Sequence, residues 1–123
     1  MRLLLDTHAL LWALAEPDRL DARAREALQD GRNEVLVSAA SIWEIAIKRA
    51  AGKLRAPDDL LDVIAASGFG TLAITAGHAT LAGALPPNHR DPFDRMLVAQ
   101  AQVESLTIVT RDQRLVAYDV DVL

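Results

Sequence analysis

Apolar positions along this chain fall into two rhythms, short unbroken runs and longer helical stripes, and the two alternate from end to end. Leu3 to Leu5, Val35 to Val37 and Leu106 to Val109 are runs of strand length, as strands buried on both faces of a sheet read. Between them the apolar spacing is helical. Thr7 to Ala15 carries Leu10, Leu11 and Leu14 on one face with Trp12 beside it, and Pro17 ends the segment. Asp21 is placed to cap a second helix running to about Asp30, and Gly31 stops it. Ser38 or Ser41 starts a third helix to about Ala51, broken by Gly52. Pro57 opens a fourth over Asp58 to Ala66, whose first-turn acids suit the helix dipole. Gly68 and Gly70 bracket a turn, Thr71 to Ile74 is a short strand, and the Ala-rich stretch Thr75 to Leu85 is a helix ended by Pro86-Pro87. Asp91 caps the last long helix, with Pro92 at its first position, and that helix runs to about Glu104. Tyr118 to Val122 alternates, as an edge strand does.

Strands alternating with helices imply an α/β class with a mostly parallel sheet covered on both faces. The 123 residues read as one domain with no internal repeat, linker or low-complexity tract. No apolar run is long enough to span a bilayer, and the start Met1-Arg-Leu-Leu-Leu-Asp6 is not a signal peptide, because a carboxylate follows three leucines. There is no cysteine, so no disulfide framework and no thiolate metal site, which fits a cytoplasmic protein. The net charge of −4 argues against binding nucleic acid by bulk electrostatics, so any such contact must come from local arginines.

The acids sit in unusual places. Asp6 closes the first apolar run, Glu44 interrupts the apolar helix Ser41-Ile-Trp-Glu-Ile-Ala-Ile-Lys48, Asp91 and Asp94 open the last long helix, and Asp112 follows the strand at Leu106. Carboxylates there cost free energy unless they are paired or bind a cation. In open α/β sheets, ligands sit outside the carboxyl ends of the strands, where Asp6 and Asp112 fall. Each acid also has an ordinary explanation. Asp6 and Asp91 can cap helices, Glu44 can pair with Lys48 one turn on, and Asp112 can serve a turn. Those explanations do not account for all of the positions together.

These segments resemble a known family. Leu4-Leu-Asp-Thr-His8, Val37-Ser-Ala-Ala-Ser-Ile-Trp-Glu-Ile-Ala-Ile-Lys48, His89-Arg-Asp-Pro-Phe-Asp-Arg-Met-Leu-Val-Ala-Gln-Ala101 and Thr110-Arg-Asp112, in that order, are similar to PIN-domain ribonucleases, specifically VapC-type toxins of type II toxin–antitoxin pairs. The resemblance implies a three-layer α/β/α domain with strand order 3-2-1-4-5. It implies that Asp6, Glu44, Asp94 and Asp112 are the catalytic acids and hold Mg²⁺, with Mn²⁺ as a substitute, and that Asp91 is auxiliary. The chemistry it implies is hydrolysis of RNA by a metal-activated water. Thr7, Ser38 and Thr110 are candidates to brace the acids or orient that water. His8 departs from the small polar residue usual two places after the first Asp. The implied partners are RNA, a VapB-type antitoxin and a second copy of the chain, with no membrane. The surface at Leu11, Trp12 and Leu14 is either a docking place or core.

Arg90, Arg95, Arg111, Arg114 and Lys48 are the candidate RNA contacts, with Arg49, Lys53 and Arg55 as a second basic cluster. Aromatics are scarce, and Trp43 and Phe93 fall on helix faces that read as buried, so base stacking is not the expected mode. His78 reads as a surface residue of its Ala-rich helix, and His89 as a loop residue within reach of metal or phosphate. Competing readings are a phospho-acceptor receiver domain, a metal-dependent phosphatase, and a non-catalytic RNA- or protein-binding module. The first wants a late lysine, and both lysines come earlier, at 48 and 53. The second wants Asp where His8 stands.

Overall fold

The unbroken apolar runs become the middle of a five-stranded sheet in the computed structural model, which describes all of residues 1–123. The strands are β1 (Arg2–Leu5), β2 (Glu34–Ser38), β3 (Gly70–Leu72), β4 (Thr107–Val109) and β5 (Asp121–Val122). Their order is β3-β2-β1-β4-β5, and every neighbouring pair is parallel. β1 is central because it is apolar on both faces. Leu3, Leu4 and Leu5 have no exposed surface at all, and each contributes roughly 1.5–3 kcal/mol by leaving water.

The strand alternation splits the interior in two. Leu3, Leu5, Val35 and Val37 face one side, where they meet α1 (Thr7–Ala15), α2 (Ala22–Gln29), α3 (Ala39–Ala50) and α4 (Leu60–Ala66) through Leu10, Ala24, Ile45 and Ile64. Leu4, Leu36 and Ile108 face the other, covered by α5 (Ala76–Ala84) and α6 (Pro92–Glu104) through Ala82, Leu97 and Val98. The result is the expected three-layer α/β/α arrangement with strand order 3-2-1-4-5.

Local chemistry sets most element ends. The side chains of Asp6, Asp21, Ser38, Thr75 and Asp91 each accept a backbone N–H at the start of a helix. The third helix therefore starts from Ser38, not Ser41. Pro57 does not open the fourth helix, because Asp58 and Asp59 form a turn and the helix begins at Leu60. The third strand pairs from Gly70 rather than Thr71, since its register against β2 sets Leu36 opposite Gly70. The last strand is only Asp121–Val122, preceded by a 3-10 turn over Gln113–Ala117. His78 is fully buried, contrary to the surface position its helix suggested. Its Nδ1 accepts the Thr75 N–H at 3.0 Å and its Nε2 lies 2.9 Å from Glu104 Oε1, tying α5 to α6.

The registers matter for function. Leu5 pairs with Val37 on one side and Val109 on the other, so β1, β2 and β4 finish at one level. The residues that follow them therefore emerge at a single edge of the sheet.

Candidate active site

Asp6 leaves β1 at that edge, its N–H donating to the Val109 carbonyl at 3.1 Å. One carboxylate oxygen caps α1 by accepting from Ala9 N at 2.7 Å, and the other accepts from Thr110 Oγ1 at 2.5 Å. Asp6 is nevertheless buried, and burial raises its pKa in spite of both bonds. Capping and a position in the site are thus not alternatives for Asp6.

Glu44 points inward from α3 and is 4% exposed. Thr7 Oγ1 donates to Oε1 at 2.6 Å and Lys48 Nζ to Oε2 at 2.7 Å. The ion pair with Lys48 exists, and it makes a buried carboxylate affordable without removing it from the cleft.

Asp94 sits in the first turn of α6. Burial, and then the neighbouring Asp91, push its pKa up to about 6, with Asp6 and Glu44 adding to the rise. Asp112 moves the other way. Arg114 grips both its oxygens, Nε at 3.0 Å and Nη2 at 2.9 Å, and holds its pKa down at about 2. Thr110 links the acids from behind, since its hydroxyl donates to Asp6 and accepts the Asp112 N–H at 3.0 Å.

Asp6, Thr7, Glu44, Lys48, Asp91, Asp94, Arg111 and Asp112 all line one cleft of about 270 Å³. The sheet edge, the α3 face and the α6 N-terminus thus gather side chains far apart in sequence. The donor set suits a hard divalent cation. It is built of carboxylate oxygens with no thiolate, and carboxylate oxygens of Asp94 and Asp112 lie within 4.8 Å of each other. Buried like charges that raise one another's pKa are what such a cation offsets. Asp6, Glu44, Asp94 and Asp112 thus bring four carboxylates to one cleft.

A family model described as PIN domain matches residues 3–121. The chain belongs to the PIN-domain family. It is 34% identical, over 115 residues, to Ribonuclease VapC22 of Mycobacterium tuberculosis (strain ATCC 25618 / H37Rv), covering 91% of this chain and 88% of that protein. Among solved structures, the fold is similar to VapBC2 from Rickettsia felis bound to a promoter DNA fragment, with TM-score 0.74, 15% identity and coverage of 100% and 98%. It is also similar to DNA-bound VapBC from Salmonella typhimurium, with TM-score 0.73, 19% identity and coverage of 100% and 97%. Membership in the PIN family leaves no place for the receiver and phosphatase readings.

In this PIN domain the structure sets several of the sequence candidates apart from the cleft. Arg95 does not reach the cleft, because its guanidinium donates to the backbone carbonyls of Ala82, Leu85, Pro86 and His89. Trp43 is 61% exposed, its ring edge-to-face with the half-buried Phe93 at 5.5 Å. Helical spacing had put Trp43 on an inward face, but the buried stripe of α3 runs through Ala40, Ser41, Glu44 and Ile45 and leaves Trp43 outside it. Arg90 is exposed outside the cleft, and Arg49 pairs with Asp58, so of the two basic groups only Lys48, Arg111 and Arg114 line the cleft. Leu11, Trp12 and Leu14 are half-buried, packing on the core while lining a groove with Arg55, Pro57 and Val63.

Sequence reasoning underrated two residues. Trp12 lines the cleft, with Arg19 and Arg111 guanidiniums 5.0 and 5.5 Å from its ring centre and the exposed His8 ring 5.9 Å away. Its signal was the four-residue spacing from His8, which stacks the two on one helix face. His89 is 6% exposed rather than a plain loop residue. Its signal was its place just before a capping Asp that opens an acid-bearing helix.

Proposed function

We propose that this PIN domain is a Mg²⁺-dependent endoribonuclease, the toxin of a VapBC-type pair, cutting RNA in the acidic cleft. The observation that carries the reading is the convergence of Asp6, Glu44, Asp94 and Asp112 on one cleft in a chain 34% identical to a VapC ribonuclease. A bound divalent cation would make a water more acidic and offset charge on the phosphate.

The chain's own residues do the rest. Asp6, Asp94 and Asp112 would hold the cation through their carboxylate oxygens, with Mn²⁺ able to replace Mg²⁺. Glu44 has an oxygen on Thr7 and another on Lys48, so its carboxylate is fixed in the cleft, where it would reach the cation through water. Thr7 and Thr110 brace Glu44 and Asp6 through hydroxyl donation, and Ser38 caps α3 behind them. Asp91 caps α6, and after burial its charge is the next cause of the raised Asp94 pKa, a cost that a bound cation would offset. Lys48, Arg111 and Arg114 bring positive charge to a cleft that would otherwise repel phosphate. Arg111 is fixed there by its bond to the Arg19 carbonyl at 3.2 Å and by the Trp12 face.

The 123 residues act as one domain and work as a homodimer in the cytoplasm. No helix is long and apolar enough to cross a membrane. A VapB-type antitoxin docks on the groove along Leu11 and Leu14 and reaches the cleft from there, since Trp12 borders both.

The test is cleavage of a total RNA pool by the purified chain free of antitoxin, with Mg²⁺ or EDTA, beside Asp6→Asn and Asp94→Asn. Discrete fragments that need Mg²⁺ and vanish in both variants are expected. A folded protein that cuts nothing with Mg²⁺ or Mn²⁺ would point instead to a non-catalytic binding module.

A further inference from the structure

His89 lies in the loop between α5 and α6, yet its side chain is 4% exposed. Its Nε2 is 2.9 Å from Asp94 Oδ2 and 3.4 Å from Asp112 Oδ2. An imidazole beside two carboxylates has the composition of a metal site. The other ring nitrogen argues against that role.

Nδ1 accepts the backbone N–H of Asp91 at 3.2 Å. A backbone amide only donates, so Nδ1 presents its lone pair and the neutral ring carries its proton on Nε2. A ligating imidazole needs the reverse arrangement, with the metal on one nitrogen and the other N–H donated outward. The enclosed Nε2 also has no well-directed partner, although two carboxylate oxygens lie close by. It is a donor held against two acceptors and aimed squarely at neither.

The loop is anchored as if this placement matters. Arg95 donates to the His89 carbonyl at 3.3 Å and to Pro86, whose carbonyl also accepts from Tyr118 Oη at 3.2 Å. His89 is therefore pinned from α6 and from the segment before β5.

We propose that His89 is a positioning residue whose Nε2–H is shared between Asp94 and Asp112, drawing the two carboxylates together, and that it is not itself a ligand of the cation. This rests on the cation-dependent reading above. Asp94 comes from a helix and Asp112 from the turn after β4, and their like charges would otherwise drive them apart. A shared donor sets their spacing before any cation binds.

Long-range ¹H–¹⁵N NMR on the unaltered protein, with and without Mg²⁺, is expected to show the proton on Nε2 of His89 in both states. Pulsed EPR of the Mn²⁺-loaded protein is expected to show no imidazole ¹⁴N coupling. By calorimetry, His89→Ala is expected to weaken Mn²⁺ binding about 10–100-fold, the usual cost of losing a partner that orients metal ligands. His89→Gln, whose amide donates from a similar reach, is expected to regain most of it. A proton on Nδ1, or a ¹⁴N coupling abolished by His89→Gln, would make His89 a ligand and overturn the proposal. So would unchanged Mn²⁺ affinity in a folded His89→Ala protein. If His89→Ala does not fold, the two spectroscopic measurements on the unaltered protein still decide. Absence of Mn²⁺ binding to the unaltered protein would overturn the cation-dependent reading and this proposal with it.

Discussion

Asp94→Asn should make the metal-free protein more stable at neutral pH while disabling it. The Asp94 carboxyl, 18% exposed, is pushed from an ordinary 3.8 to about 6. At about 1.4 kcal/mol per pH unit, the ionised group costs the folded state roughly 3 kcal/mol at pH 7. The sign follows from proton binding. The folded carboxyl holds its proton more tightly than the unfolded one, so stability falls as pH rises from about 4 to about 6, and the full cost persists above that. Below the unfolded value the cost vanishes. Asn removes the charge at similar volume and can still accept from His89. It forfeits a first-turn carboxylate at the α6 dipole, about 0.3–1 kcal/mol. The net gain is about 2 kcal/mol, or roughly 6–10 °C in melting temperature for a domain of this size. Thermal melts in EDTA at pH 4, 5, 6 and 7 would follow it. The variant should melt higher at pH 7, converge with the unaltered protein near pH 4, and respond little to Mg²⁺, which should stabilise the unaltered protein by about 2.7 kcal/mol at a hundred times its Kd. A variant no more stable at pH 7, or one equally displaced at pH 4, would refute the claim that buried like charge is stored here.

Further tests bear on the groups around Asp94. Thr110→Val removes the hydroxyl that donates to Asp6 and accepts from Asp112 N, so denaturant melts should show a loss of about 1–3 kcal/mol, with weaker Mg²⁺ binding by calorimetry. Arg114→Ala should let the Asp112 pKa rise from about 2 toward its ordinary 3.8 in a carboxyl NMR titration. Because a depressed acid contributes stability above its unfolded pKa and loses it as pH falls through the folded value, the variant should lose that contribution at neutral pH and show a flatter acid limb. Ser105 ends α6 in the left-handed region at φ 56°, so Ser105→Gly should raise stability by about 0.5–1 kcal/mol in the same melts and leave RNA cleavage unchanged.

Much of this protein is local and therefore legible in the chain. The run Leu3 to Leu5 had to be a doubly buried strand, and the caps at Asp6, Asp21 and Asp91 needed only the next three residues. The Glu44–Lys48 pair followed from helical spacing, and the acids that line the cleft were recognisable because each closed, interrupted, opened or followed an apolar segment. Tertiary structure decided what depends on distant partners. Helical spacing gives a face but not its cover, so Trp43 reads as core and stands exposed, while His78 reads as surface and is buried against Glu104. Arg95 resembles an RNA contact until the end of α5 and the loop after it bring four carbonyls to it. The opposite pKa shifts of Asp94 and Asp112 likewise arise only where folding buries the first acid beside Asp91 and leaves the second to Arg114. Hydrophobic patterning and capping act over a few residues, whereas burial and Coulomb interaction act through space, and the chain meets itself there only once the sheet has formed.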